Sequence, residues 1–144
     1  MTVKTDVVVV GAGPCGIFAV FELGLLGIHA HVVDSLAEIG GQCTTLYPEK
    51  PIYDIPGLPI VSGQELVDRL AQQATPFDPT YHLGQQVVEL EPQGDSSFVL
   101  VTETGTRLHT RTVIIAAECR FQSRVRKNCR PVVRVRRPAG PSDS

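Results

Sequence analysis

No stretch of this sequence approaches the roughly 18 consecutive apolar residues that a membrane-crossing helix requires. Residues Met1 to Asp6 also lack the basic region and apolar core of a secretory signal. Neither a membrane span nor export is therefore expected, and the cytoplasm is the expected compartment. Cysteine is scarce: no two of Cys15, Cys43, Cys119 and Cys129 lie within four positions of each other. That spacing excludes the paired ligands of a zinc site, and without an export signal a disulfide scaffold is not expected either. No Ser-His-Asp order is visible. His29, His31, His82 and His109 all fall in segments that read as strands, so none stands out as a base or metal ligand.

What remains is a composition of 42% hydrophobic and 19% charged residues over 144 positions, the balance of one ordinary globular domain. The formal net charge of -2 hides two unlike segments. Up to Ala117 there are 5 Lys and Arg against 13 Asp and Glu, and after it 8 against 2, so a segment of -8 precedes one of +6.

Asp6 to Val10 is a β-branched run that stops at Gly11, the pattern of a parallel strand buried on both faces. From Pro14 to Leu26 apolar residues fall on nearly every side of a helix whose one charge is Glu22, so that helix is expected to be largely buried. Gly27 is placed to end it, and His29 to Asp34 reads as a returning strand. Between Ser35 and Val61, Pro48, Pro51, Pro56 and Pro59 predict a long functional loop without regular structure. Ser62 followed by Glu65 forms a capping-box pattern, and Leu66, Val67, Leu70, Ala71 and Ala74 give the next helix one apolar face. The period then changes to that of strands over 81–83, 86–90, 97–102 and 107–117, with turn signals at Gly94-Asp95 and Thr104-Gly105. Three of these are expected to form an antiparallel meander, and the last to end as a buried parallel strand.

The chemistry sits in Gly11-Ala12-Gly13-Pro14-Cys15-Gly16, a G-x-G-x-x-G that follows a strand and opens a helix. Gly11 permits the turn, Gly13 leaves the backbone bare for a pyrophosphate, and Gly16 lets the helix approach the sheet. Unpaired N–H groups and the positive helix end would then meet the phosphates. Asp34 lies 18 residues past Gly16 at the end of the second strand, where its carboxylate could accept from both ribose hydroxyls. Alone, it reads equally well as a solvated strand end. Spacing does not separate FAD from NAD. The position of the motif at the N-terminus, and a meander in place of another helical crossover, favour FAD.

Val7 to Gly16, Val33-Asp34-Ser35, Glu38 to Cys43 (EIGGQC) and Leu46 to Gly57 (LYPEKPIYDIPG) together resemble the thioredoxin-reductase-like ferredoxin:NADP reductases over residues 1–117. The resemblance implies an α/β fold: a Rossmann-like FAD-binding domain with a parallel sheet plus an antiparallel β-meander, here incomplete. It implies an enzyme, a flavoprotein oxidoreductase passing electrons between NADPH and ferredoxin, homodimeric in the family. Carried over by position, Asp34 holds the FAD ribose, Gln42 hydrogen-bonds the flavin, Tyr47 stacks on the isoalloxazine, and Val87 meets the adenine through its backbone. Cys15 lies within the pyrophosphate turn. From the residues alone, Tyr47 reads as packing and Gln42 as an exposed loop amide. Related disulfide reductases place a second cysteine five positions after the first, but Pro48 stands there, so Cys43 reads as a small buried residue.

The family pattern fails after Ala117. Residues 118–144 carry seven arginines and one lysine without a defensible period. They read as a basic tail, disordered or frameshifted, with a nucleic-acid-binding arm and a natural stand-alone module as the other readings. The tail carries no nucleic-acid fold signature, and a nucleic-acid partner is not expected. No second G-x-G-x-x-G/A occurs, so an NADPH-binding domain is expected to be absent. The alternative function is accordingly an FAD- or ADP-binding fragment or module without catalysis.

Overall fold

The computed structural model describes residues 2–117 and 134–135. Along the chain the elements are β1 (Thr2–Val10), α1 (Pro14–Leu25), β2 (Ala30–Val33), α2 (Gln42–Thr45), β3 (Pro51–Ile52), β4 (Val61–Ser62), α3 (Gly63–Ala74), β5 (Thr80–His82), β6 (Val87–Pro92), β7 (Phe98–Thr102), β8 (Arg107–Ile115) and β9 (Arg134–Val135). One seven-stranded sheet runs in the order β5-β2-β1-β8-β7-β6-β9, and β3 pairs with β4 separately. The fold is the expected α/β arrangement: β5, β2, β1 and β8 are parallel, and β6, β7 and β8 form the antiparallel meander.

Valine sets the centre of this sheet. Val7, Val8 and Val9 in β1 are each at most 2% exposed, as a parallel strand covered on both faces requires. Alternation sends Val7 and Val9 into a core with Ile17 and Val20 of α1 and Val67 of α3. Val8 joins Val33, Val87, Leu100 and Leu108 on the other face. Three strands separate β2 from β6 in the sheet, yet Val33 and Val87 share this second core. The sheet therefore curls, and the meander supplies the cover that a second layer of helices would otherwise give.

β8 carries two duties at once. Its first half pairs with β7 while its whole length runs beside β1, from Thr2 opposite Arg107 to Val10 opposite Ile115. The segment 81–83 lies outside the meander: β5 extends the parallel sheet beyond β2.

Three expectations are corrected. Burial of α1 is confined to one face, because its packing partners are the sheet and α3. Ile17 and Val20 are buried, whereas Phe18 is 45% and Leu25 61% exposed. The end of β8 is likewise not buried, and Ile115 is 73% exposed. The stretch 35–61 does contain regular structure, the short helix α2 and the β3–β4 pair. Its prolines permit this because Pro51 occupies the first position of a two-residue edge strand.

The Ser62 cap forms as expected. The Ser62 hydroxyl accepts the Glu65 amide at 3.1 Å, while the Glu65 carboxylate turns outward to Arg69. Of the expected apolar face, Leu66, Val67 and Ala74 are buried. The reading of 118–144 as a tail lies outside the described residues, apart from the backbone of β9, which runs parallel to β6.

Leu108 is fully buried where the meander meets β1. Leu108→Ala is expected to cost about 2–5 kcal/mol in urea unfolding, against less than about 0.5 kcal/mol for the exposed Leu25→Ala.

Candidate functional site

The chain leaves β1 towards α1 and β2 on one side, while β8 lies on the other side of β1. Strand order therefore reverses at the carboxyl end of β1, the place where open α/β sheets bind ligands. Gly11 stands there with φ +108°, a conformation L side chains rarely adopt. Its amide donates to the Val33 carbonyl at 2.8 Å, and a Cβ on it would come within 2.6 Å of the Ala116 carbonyl. A Cβ on Gly16 would collide with the Gly11 carbonyl, so the helix lies against the turn because that position is bare.

Gly13 is different. It is the N-cap of α1, and a Cβ there would meet nothing within 4 Å. No side chain caps this helix, and Pro14 occupies the first helical position, so the first-turn amides are left for a partner outside the helix. Cys15, in this turn, is exposed.

Asp34 closes the turn from the side. Its Oδ2 accepts the Ala12 amide at 2.6 Å and its Oδ1 accepts the Leu36 amide at 2.8 Å. Each carboxylate oxygen keeps a second acceptor position. Behind Asp34, its amide donates to the His82 carbonyl and its carbonyl accepts the Gln85 amide, at 3.1 and 2.9 Å. Two residues further on, Val87 begins β6 and is 6% exposed.

A second wall comes from the Gly-Gly pair, whose contact with the motif sequence reasoning missed. The Gly40 amide donates to the Ala12 carbonyl at 2.7 Å, and a Cβ on Gly41 would lie 3.1 Å from Gly13 Cα. Ala12 is thus held through both its polar backbone atoms, by Asp34 on one side and Gly40 on the other. The doubled glycine was the available signal, since two residues at positive φ permit so close an approach.

Beyond this wall α2 begins with Gln42. Gln42 and Tyr47 line one cavity of about 390 Å³ with Cys43, Lys50, Ile52 and Tyr53. Tyr47 is 54% exposed, and the Lys50 ammonium lies 5.4 Å from its ring centroid, a cation–π contact not foreseen. This loop is pinned by the start of α3. The Gly63 and Gln64 amides, which have no partner within the helix, donate to the Lys50 and Pro48 carbonyls at 3.2 and 2.9 Å.

The residues singled out in the sequence thus fall into linked groups. Gly11, Gly13, Cys15, Gly16 and Asp34 surround the turn, Val87 follows the segment tied to Asp34, and Gln42 and Tyr47 share the cavity beyond Gly41. A larger cleft of about 670 Å³ contains none of them. There the Ser97 hydroxyl donates to Asp95 and so accepts from His109 Nε2 at 2.7 Å. The Ser97 hydroxyl, and then the Ser97 amide at 3.1 Å, hold the Asp95 carboxyl below its usual range. With its proton committed to Asp95, Ser97 is not arranged as a nucleophile. Among the described residues no cluster of three His, Cys, Asp or Glu could hold a metal, and no helix is long and apolar enough to cross a membrane.

Residues 4–41 match the family described as FAD binding domain. The chain is 57% identical over 115 residues to a protein from Bradyrhizobium sp. named ferredoxin–NADP reductase, covering 80% of this chain and 34% of that one. It is 58% identical over 114 residues to ferredoxin–NADP reductase 2 of Cupriavidus necator, covering 79% and 31%. The chain thus spans about a third of the length of these curated relatives. Among solved structures, thioredoxin reductase from Streptococcus pyogenes superposes with a TM-score of 0.68 at 24% identity, over 78% of this chain and 34% of that one. A cyclohexanone monooxygenase gives 0.68 at 22% identity over 81% and 26%. The fold is that of these reductases and monooxygenases, and the resemblance to ferredoxin:NADP reductases stands.

The three motif glycines have separable roles. Gly11→Ala is expected to lower stability by more than about 2 kcal/mol through strain and collision, whereas Gly13→Ala should leave the melting curve within a few degrees of the parent. Thermal unfolding followed by circular dichroism checks the contrast.

Proposed function

We propose that this chain is the FAD-binding part of a flavoprotein oxidoreductase that passes electrons between NADPH and ferredoxin. The observation that carries the reading is the open space over Gly13. It lies at an uncapped helix start, between Asp34 and the Gly40-Gly41 wall, on a path that continues to Gln42 and Tyr47. A dinucleotide is the ligand shape that uses both ends. Residues 4–41 match an FAD-binding family and the relatives bear the name of a reductase, which favours FAD over NAD.

In this reading Gly11 shapes the turn, and the amides of Gly13, Cys15 and Gly16, which remain after Gly11 donates to Val33 and Ala12 to Asp34, hold the pyrophosphate. Asp34 accepts from the adenosine ribose through the acceptor positions its two amide partners leave, and the Val87 backbone meets the adenine. Gln42 hydrogen-bonds the flavin, and Tyr47 offers its exposed ring for stacking, with Lys50 fixing the ring's orientation. When bound, FAD supplies the exchange between a two-electron donor and a one-electron acceptor. Pro48 stands five positions after Cys43, where related disulfide reductases carry their second cysteine, so in this reading electrons pass without a dithiol relay.

NADPH as donor, ferredoxin or a similar carrier as acceptor, assembly as a homodimer and a cytoplasmic location belong to this proposal for the protein as a whole. Residues 1–117 are the partial FAD-binding domain, and the 144-residue polypeptide holds no second dinucleotide motif for NADPH. Taken alone, it is accordingly a binding unit.

The test is FAD titration followed by flavin fluorescence. Gly13→Glu is expected to weaken binding at least 100-fold, about 2.7 kcal/mol, by filling the phosphate space with negative charge, while the circular dichroism spectrum is unchanged. Unaltered affinity would remove the pyrophosphate from this turn. NADPH-dependent dye reduction by the polypeptide with added FAD is expected to equal a free-flavin control, and turnover above it would reveal a nicotinamide site within the 144 residues.

A further inference from the structure

Between β2 and β5 lies an interaction that the cofactor site does not use. His31 Nδ1 and His82 Nε2 are 2.9 Å apart. Their ring centroids are 5.2 Å apart and the planes differ by 19°. The centroid separation equals the nitrogen-to-nitrogen distance plus the two ring radii, its largest possible value, so the rings meet end to end in nearly one plane. Such a contact requires one proton between the facing nitrogens. With both nitrogens protonated, two N–H groups and two positive charges oppose each other.

Among the described residues no ion pair offsets this repulsion. The His29 ring stands edge-on 5.4 Å from His31, and its Nε2 hydrogen-bonds the Asp78 carbonyl at 2.7 Å. Tyr81, on the other face of β5, packs into the α1 core, and burial holds its hydroxyl above its ordinary value. No carboxylate forms an ion pair with any of the three imidazoles among the described residues. Burial first, and then the neighbouring imidazoles, hold His31 below the ordinary imidazole value, and burial does the same for His82.

The backbone connects this pair to the candidate site. β5 is the edge strand of the sheet, paired with β2 alone among the described strands. From its end, the His82 carbonyl accepts the Asp34 amide, the Gly84 amide donates to Leu36, and the Gln85 amide donates to Asp34, all within 3.1 Å. Asp34 in turn holds the Ala12 amide of the glycine turn.

We propose that the His31–His82 pair is a proton-sensitive clasp that holds β5 on β2 and so fixes Asp34 against the glycine turn, and that its double protonation releases the adenosine end of the nucleotide site. The consequence for nucleotide rests on the FAD reading, whereas the release of β5 does not. Because both imidazoles titrate lower in the folded chain than unfolded, the clasp is complete above about pH 6.5. Its contribution is lost as pH falls through the folded values.

The experiment measures amide hydrogen exchange by NMR on the whole chain at about pH 7.5 and about pH 5.5, spanning the imidazole range. Protection of the Asp34 and Gln85 amides is expected to fall at least tenfold at the lower pH in the parent. It should stay flat in His82→Gln, whose amide hydrogen-bonds without titrating. His31→Gln serves the same comparison if His82→Gln does not fold. Constant protection in the parent, or an equal fall in the variants, overturns the clasp. FAD affinity at both pH values gives the second readout, with several-fold weakening expected at the lower pH in the parent only. A pH-independent affinity overturns the link to the site. Failure to bind FAD at either pH, with the amide result intact, removes the FAD reading and leaves the clasp.

Discussion

Three chain segments converge on Gly11, and the site depends on how closely they do so. The ends of β2 and β8 flank the end of β1: the Gly11 amide reaches Val33, the Val10 carbonyl accepts the Ala116 amide, and Gly11 Cα faces the Ala116 carbonyl. A side chain at this point would force β8 and the turn apart. The start of α1 would then move away from the sheet, and Asp34 would lose its register with Ala12. The glycine is therefore a spacing requirement between strands before it is a feature of phosphate binding. At Gly13, by contrast, an added Cβ would meet nothing in the protein, so the space its smallness leaves is open to the outside.

The two halves of the candidate site are stabilised by different means. The half at the glycine turn is a direct product of the sheet: turn, helix start and acid all follow from strands that end together. The half at Gln42 and Tyr47 is a loop with little core of its own, held because the first amides of α3 need acceptors and the Pro48 and Lys50 carbonyls provide them. Ser62 takes the next amide, so the start of the helix is satisfied by its own cap and by the loop. A polar requirement of one element thus becomes the anchor of another.

Charge is handled mainly by the backbone. Residues 1–117 carry -8, and among the described residues Lys50 is the one cation lining the cavity at Gln42 and Tyr47. What the glycine turn offers an anion among the described residues is its oriented amides and the positive end of the α1 dipole. This arrangement makes the placement of Asp34 consequential, since its carboxylate secures one amide of the turn at 2.6 Å while adding negative charge beside it.

The amino-acid sequence by itself determined the βαβ unit, the glycine turn, Asp34 at the end of β2, the Ser62 cap and the meander. Each of these is a local pattern whose cause lies within a few residues: β-branched runs, positive-φ glycines, a hydroxyl placed three residues before an amide. Local pattern also misled, because an all-round apolar helix and an apolar strand end were read as buried, whereas burial depends on what other elements cover. Only the tertiary structure decided that Phe18, Leu25 and Ile115 lie exposed, and that β8 serves both the meander and the parallel sheet. It alone decided that Gly41 abuts Gly13, and that His31 meets His82 across 51 positions. These are contacts between segments distant in sequence, set by sheet order and curl, and no periodicity within either segment encodes them.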